Sequence, residues 1–369
     1  QYDVNQVIYS PDGKKVSGAG FTSTHNEIEF FDPEAKALIE EISAKAVGYN
    51  VRYIDQTPDG NLTLVRAVSA DEPNLMLLYN RKTKSLDMIG SALPNLADVN
   101  PAYVQSISYT ARDGQKIPGF VTIPAKAMEA GKIKNLPYII FPHGGPNARD
   151  SAEFDYMAQM MASRGYGVLQ MNFRGSTGYG KTFTDAGRDN WVIMQDDVED
   201  GTKWLVEKGY ADPDRICIMG WSYGGYAALM AAAKHGEMYK CTASIAGVTD
   251  LGNLITDMER YQFGDVTSKN FVLRGFKDKD DIRENSPLKL ADQIKTPVFL
   301  AHGEDDVVVH FRHFTTMEKA LKRAKTPVTS VKIKDSGHSL LIKGDQRVEM
   351  MKKLVGFMED NLGKSEWAN

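Results

Sequence analysis

Beyond residue 104, short apolar runs alternate with amphipathic stretches. "LPYIIFP" (136–142) and "GVLQMNF" (167–173) are too short for helices and lack polar alternation. They read as strands buried on both faces. "RICIMGW" (215–221), "TPVFLAHG" (296–303) and "VTSVKIK" (328–334) repeat the pattern. "DDVEDGTKWLVEKG" (196–209) opens on acids and carries Val198, Leu205 and Val206 at helical spacing, which predicts an amphipathic helix. "QRVEMMKKLVGFMEDNL" (346–362) predicts another. Ahead of these elements, alternating residues around Asp113-Gly114 predict a hairpin. Strands alternating with helices make a mostly parallel sheet with helices on both faces.

The first 95 residues have a different texture, and they repeat. "YSPDGKKV" from Tyr9 returns as "QTPDGNLT" from Gln56, an offset of 47 between Pro11 and Pro58. "EIEFFDPEAKALIEEI" from Glu27 pairs with "NLMLLYNRKTKSLDMI" from Asn74, with Asp32 and Asn80 offset by 48. Each copy reads as short strands joined by turns. A period of roughly 40–50 residues built from short antiparallel strands is the pattern of propeller blades. Two blades cannot close a ring, so further blades are expected outside this chain. The predicted division is a partial β-propeller over 1–95 and an α/β domain over 96–369.

Composition narrows the classes of partner. With 369 residues, 42% of them hydrophobic, there is ample material for two cores. A net charge of −4 offers no basic surface for nucleic acid or anionic lipid. No stretch of about 18 apolar residues appears, so no membrane span is expected. A soluble protein follows, cytoplasmic by default, with the periplasm or secretion as alternatives. Cys217 and Cys241 lie in apolar runs without metal or redox spacing and read as buried thiols.

One corner carries chemistry. Strand 215–220 leads into Gly220-Trp221-Ser222-Tyr223-Gly224, then a helix to about 234. This is Gly-x-Ser-x-Gly between strand and helix, the nucleophile elbow of α/β-hydrolases. The residues two before and two after the serine must approach closely, and Gly220, Gly224 and Gly225 remove the side chains that would collide. A serine hydroxyl needs a base, and the fold's chain order is Ser, Asp/Glu, His. Glu304, Asp305 and Asp306 follow one strand, and His338 follows the last strand on a glycine-containing loop. Residue chemistry alone does not separate Asp305 from Asp306. His302 precedes the acids and reads as shaping their loop. His310 and His313 form an H-x-x-H spacing without a third ligand, so no metal is expected. His143-Gly144-Gly145-Pro146 follows a strand and resembles the HGG loop that supplies oxyanion amides, with the amide of Tyr223 as the other donor.

Together, the blade pattern, "HGGP", "NFRGSTGYG", "GWSYGGYAA", "HGEDDVVV" and "DSGH" resemble the prolyl oligopeptidase family of serine peptidases. The pieces around "HGGP" look most like its acylaminoacyl-peptidase and dipeptidyl-peptidase-like branch. The resemblance implies an α/β-hydrolase fold preceded by a β-propeller. It places the acid four residues after His302, hence Asp306, and implies Ser222 as nucleophile and His338 as base. It implies an oxyanion site at Tyr223, Gly144 and Gly145, a substrate contact at His143, and at the Arg174 loop either a substrate contact or a structural role. Tyr261 and Phe263 of "DMERYQF" are expected as a pocket wall. Two residues past the acid the family often has Asn or Arg; Val308 stands here, so that grip on the substrate backbone is not expected. The implied reaction is cleavage of short peptides through an acyl-enzyme without a cofactor. A carboxylesterase or lipase on the same fold is the alternative. Short peptides are the expected partners, with a homo-oligomer and a companion fragment carrying the missing blades as further ones.

Overall fold

The computed structural model describes residues 2–10, 13–96, 99–260, 264–339 and 344–369. β1 (Val4–Tyr9), β2 (Val16–Thr22) and β3 (Asn26–Phe30) form an antiparallel three-stranded sheet. Helix α1 (Pro33–Lys45) follows, then β4 (Asn50–Gln56), β5 (Leu62–Val68), β6 (Leu75–Asn80) and β7 (Ser85–Ser91), an antiparallel meander of four. These two small antiparallel sheets occupy the region expected as blades of a partial propeller. The turn at Pro58-Asp59-Gly60 closes through Gly60 N–H donating to Thr57 O at 2.8 Å. Its counterpart at Pro11-Asp12 lies outside the described residues.

The first copy departs from the predicted strands. Asp32 accepts hydrogen bonds from the amides of Glu34 (2.9 Å) and Ala35 (3.1 Å), and Pro33 sits at the first helical position. An N-cap, a proline at N1 and a run of Ala, Glu, Lys and Leu specify a helix. The similarity to the second copy therefore stops at Asp32.

The remaining strands form one eight-stranded sheet. β8 (Tyr103–Thr110) and β9 (Lys116–Ile123) are the hairpin turning at Asp113-Gly114. After the short α2 (Ala125–Glu129) come β10 (Leu136–Ile140), α3 (Tyr156–Ser163), β11 (Gly167–Met171), α4 (Lys181–Asp189), α5 (Trp191–Glu207) and β12 (Ala211–Trp221). Then follow α6 (Tyr223–Lys234), β13 (Cys241–Ile245), α7 (Leu251–Met258), α8 (Gly264–Phe271), α9 (Lys279–Glu284), β14 (Val298–Gly303), α10 (Arg312–Arg323), β15 (Val328–Ile333) and α11 (Gly344–Leu362). The spatial order is β15-β14-β13-β12-β10-β11-β9-β8, parallel from β11 to β15 and antiparallel at the hairpin. Successive residues of β12 feed opposite cores. Ile216 and Ile218 pack with α5 and α6, while Cys217 and Met219 pack with α3 and α11. Both faces are dry, as the uninterrupted apolar strands require.

The cysteines correct an expectation. Cys217 and Cys241 are register partners on β12 and β13, with Cα atoms 4.8 Å apart, and they are joined in a disulfide. Adjacent strands in register project both side chains to the same face, a relation that spacing along the chain does not reveal.

The loop from β10 to α3 touches both blades. Arg149 donates to the carbonyls of Thr22 (2.9 Å) and Ser23, and the Ala152 amide donates to Thr24 O at 2.7 Å. Glu153 accepts from Asn26 Nδ2 at 2.8 Å and pairs with Arg52 of β4. No helix among the described residues is long and apolar enough to cross a membrane.

Candidate active site

β12 ends at Trp221 and α6 begins at Tyr223, so Ser222 alone forms the corner, at φ 58° and ψ −119°. A non-glycine residue enters that region only where its surroundings hold it. Ser222 N–H donates to Ile245 O at 2.9 Å, and Ser222 O accepts from Tyr226 N–H at 3.1 Å. A Cβ at Gly220 would lie 2.2 Å from the Gly224 backbone, and one at Gly224 would lie 2.2 Å from Pro142 O. The glycine spacing thus follows from backbone packing against backbone, which cannot yield.

Asp306 lies three residues past β14 and is buried, whereas its neighbour Asp305 is exposed. Its Oδ1 accepts the amides of Val308 (2.8 Å) and Val309 (2.9 Å), and its Oδ2 accepts His338 Nδ1 at 2.7 Å. Burial pushes the carboxyl up, but hydrogen bonds from His302, His338 and Val309, with the charge of His338, outweigh it and hold Asp306 well below the usual carboxylate range. Val308 leaves its own side chain exposed.

His338 follows β15 on a loop packed against the acid's turn. Asp305 N–H donates to Ser336 O at 3.0 Å, and a Cβ at Gly303 would lie 2.2 Å from that carbonyl. The indole Nε1 of Trp221 donates to His338 O at 3.0 Å. The residue before the serine therefore anchors the loop of the histidine. With Nδ1 bonded to Asp306, His338 has Nε2 left for a second partner.

The HGG loop lies beside the serine: a Cβ on Gly144 would stand 3.5 Å from Ser222 Cβ and 3.1 Å from Trp221 O. Gly145 adopts φ 123°, a value suited to glycine. The amide of Tyr223 opens α6, where the helix dipole favours negative charge. The Tyr223 ring is buried, and its hydroxyl accepts from Gln195 Nε2 at 2.8 Å.

Two of the residues expected near substrate, His143 and Arg174, are buried. His143 is buried, stacked on Phe173 at 4.3 Å, with Nδ1 2.7 Å from Gly144 O and Nε2 2.8 Å from Ser176 Oγ. Burial holds its imidazole down to about 4, so it is neutral. It braces the glycine loop from behind. Arg174 is 5% exposed and gives its guanidinium to Asp197 (2.6 Å) and Asp113, because a buried charge must be paired. Tyr261 and Phe263 lie outside the described residues. Among the described residues, no three His, Cys, Asp or Glu side chains are grouped to hold a metal. His313 accepts the Thr249 amide on Nδ1 at 3.1 Å. Sequence reading missed the Trp221 anchor and the bracing of His143 by Ser176, since neither follows from spacing.

Residues 152–365 match the model of the prolyl oligopeptidase family. The span contains Ser222, Asp306 and His338 and begins just after the HGG loop. Dipeptidyl aminopeptidase BIII of Pseudoxanthomonas mexicana is 33% identical over 343 residues, covering 91% of this chain and 50% of that protein. The acylamino-acid-releasing enzyme of Rattus norvegicus is 30% identical over 216 residues, covering 56% of this chain and 29% of that protein. A puromycin-hydrolyzing peptidase of Mycobacterium tuberculosis superposes with a TM-score of 0.81 at 24% identity, over 97% of this chain and 54% of that one. That likeness establishes the fold, an α/β-hydrolase behind a propeller. The chain spans half or less of the length of these two curated relatives.

Proposed function

The chain belongs to the prolyl oligopeptidase family, and from that premise we propose that it is a serine peptidase releasing aminoacyl, acylaminoacyl or dipeptidyl units from short peptides. One observation carries the reading: His338 bonds Asp306 through Nδ1 while its carbonyl is tied to Trp221, the residue beside the strained Ser222. In this mechanism Ser222 Oγ attacks the scissile carbonyl carbon as His338 Nε2 takes its proton. Asp306 holds the imidazole tautomer and stabilises the imidazolium. The amides of Tyr223 and of Gly144 or Gly145 receive the oxyanion. As the tetrahedral intermediate collapses, the C–N bond breaks and His338 returns the proton to the leaving amine. Water, deprotonated by His338, then attacks the acyl carbon, the bond to Ser222 Oγ breaks, and His338 returns the proton to that oxygen. The names of the two curated relatives, a dipeptidyl aminopeptidase and an acylamino-acid-releasing enzyme, support amide substrates.

Fluorophosphonate labelling of the wild type, abolished in Ser222→Ala, is the expected outcome. Alongside it, an aminoacyl p-nitroanilide should turn over as well as a p-nitrophenyl ester. Ester hydrolysis without any amide hydrolysis would overturn the peptidase reading in favour of a carboxylesterase.

A further inference from the structure

His302 lies near the end of β14, four residues before Asp306, and is 2% exposed. Its Nε2 stands 2.7 Å from Val309 O and 3.2 Å from Asp306 Oδ2. A carbonyl and an ionised carboxylate are both acceptors, so Nε2 must carry a hydrogen. That hydrogen bonds Val309 O, the nearer acceptor, and Asp306 Oδ2, which also receives His338 Nδ1 at 2.7 Å, is its second and longer contact. Asp306 Oδ2 therefore lies between two imidazoles while Oδ1 is held by two backbone amides. The His302 ring is fixed by its strand and by the Phe311 and Phe314 rings at 6.0 and 6.2 Å.

The terminal torsion of an aspartate is intrinsically broad. With Oδ1 tied to amides and Oδ2 tied only to a histidine that must release and recover a proton, the carboxylate could follow its partner's movement. A second N–H, from a ring that takes no part in proton transfer, removes that freedom. We infer that His302 is a positioning residue of the triad: its Nε2–H holds the Asp306 carboxylate in the orientation that His338 requires. The inference rests on the Ser222–His338–Asp306 reading. It goes beyond loop shaping, because the contact is to the carboxylate oxygen and not only to the Val309 carbonyl.

The test compares wild type, His302→Leu, His302→Gln and Ser222→Ala by fluorophosphonate labelling rate and by kcat and KM on an aminoacyl p-nitroanilide. Thermal melts establish the folded fraction, and rates are expressed per labelled site. His302→Leu should lose roughly tenfold in kcat with KM changed by less than about twofold, the scale of one hydrogen bond to a charged group. His302→Gln, whose amide nitrogen occupies the Nε2 position, should recover to within about threefold of wild type. If the leucine variant does not fold, His302→Asn, whose amide is too short to reach Oδ2, takes its place with the same expected loss. A leucine or asparagine variant with wild-type kcat per site, or a glutamine variant as slow as leucine, overturns the inference alone. A wild type that does not label overturns the triad reading and this inference with it.

Discussion

Two adjacent acids, Asp305 and Asp306, differ by one residue and by nearly everything physical. Asp305 is exposed, whereas Asp306 is buried and accepts three hydrogen bonds, from Val308, Val309 and His338, with His302 Nε2 3.2 Å from its Oδ2. Asp306→Asn should cost on the order of 10³–10⁴ in kcat, because an amide can present its N–H to Nδ1 and select the wrong tautomer. Asp305→Asn should stay within about twofold, as exposed substitutions do. Steady-state assay of both variants makes the comparison. His143 sets a different dependence. Its imidazole is held down to about 4 by burial, against an ordinary value of 6.5. Below pH 6.5 the unfolded chain takes up a proton there while the folded chain stays neutral to about 4. The unfolded state then binds more protons, so stability falls as pH drops through that window, by on the order of 3 kcal/mol at its foot. Urea midpoints measured from pH 7 to 4.5 should fall more steeply for wild type than for His143→Gln, which has nothing to protonate.

At the scale of elements, legibility followed from how strongly each segment's own residues decide its structure. β10, β11, β12 and β14 were readable because a strand buried on both faces carries a continuous apolar run, whereas the edge strand β15, with Thr329 and Lys332 exposed, was readable from its place in the alternation of strands and helices. β13 escaped notice. Its Thr242 and Ser244 are polar, and Ser244 stands so close to α6 that Gly225 there must lack a Cβ, which would lie 2.7 Å from the Ser244 Oγ. Close approach of helix to strand thus hides a buried strand behind small residues. Helix α1 was obscured by the repeat, although Asp32, Pro33 and Glu34 carried its start signal. The disulfide was illegible for a related reason: register is a property of the sheet. Cys217 and Cys241 are 24 residues apart in sequence, and cross-linking a loop of that size stabilises by about 3 kcal/mol in the chain-entropy account. The Cys217→Ala/Cys241→Ala double variant should therefore melt several degrees lower. Intact mass of denatured, alkylated wild type should reveal no added alkyl groups before reduction and two after it.

Across the whole molecule, the loop from β10 to α3 connects what the sequence kept separate. It carries Gly144 and Gly145, beside Ser222, and within a few residues reaches both N-terminal sheets. Arg149 is its central contact. The guanidinium donates to Thr22 O, Ser23 O and Tyr179 Oη, and it stacks 4.1 Å from the centre of the Tyr179 ring. Tyr179 belongs to the same "RGSTGYG" segment whose Ser176 braces His143. The N-terminal sheets and the glycine loop proposed to hold the oxyanion are thereby linked through one side chain and its two neighbouring loops. A planar fork that bonds two carbonyls and stacks on a ring is not replaced by an ammonium. Arg149→Lys and Arg149→Ala should both lower kcat on an aminoacyl p-nitroanilide by roughly three- to tenfold, because misplacing an oxyanion donor by a fraction of its bond length weakens it. The same variants should be cut faster by trypsin between residues 1 and 103, since the blade carbonyls lose their partner. Slower catalysis with unchanged proteolysis would confine Arg149 to the site. Faster proteolysis with unchanged kcat would mean that the blades dock without setting the oxyanion loop.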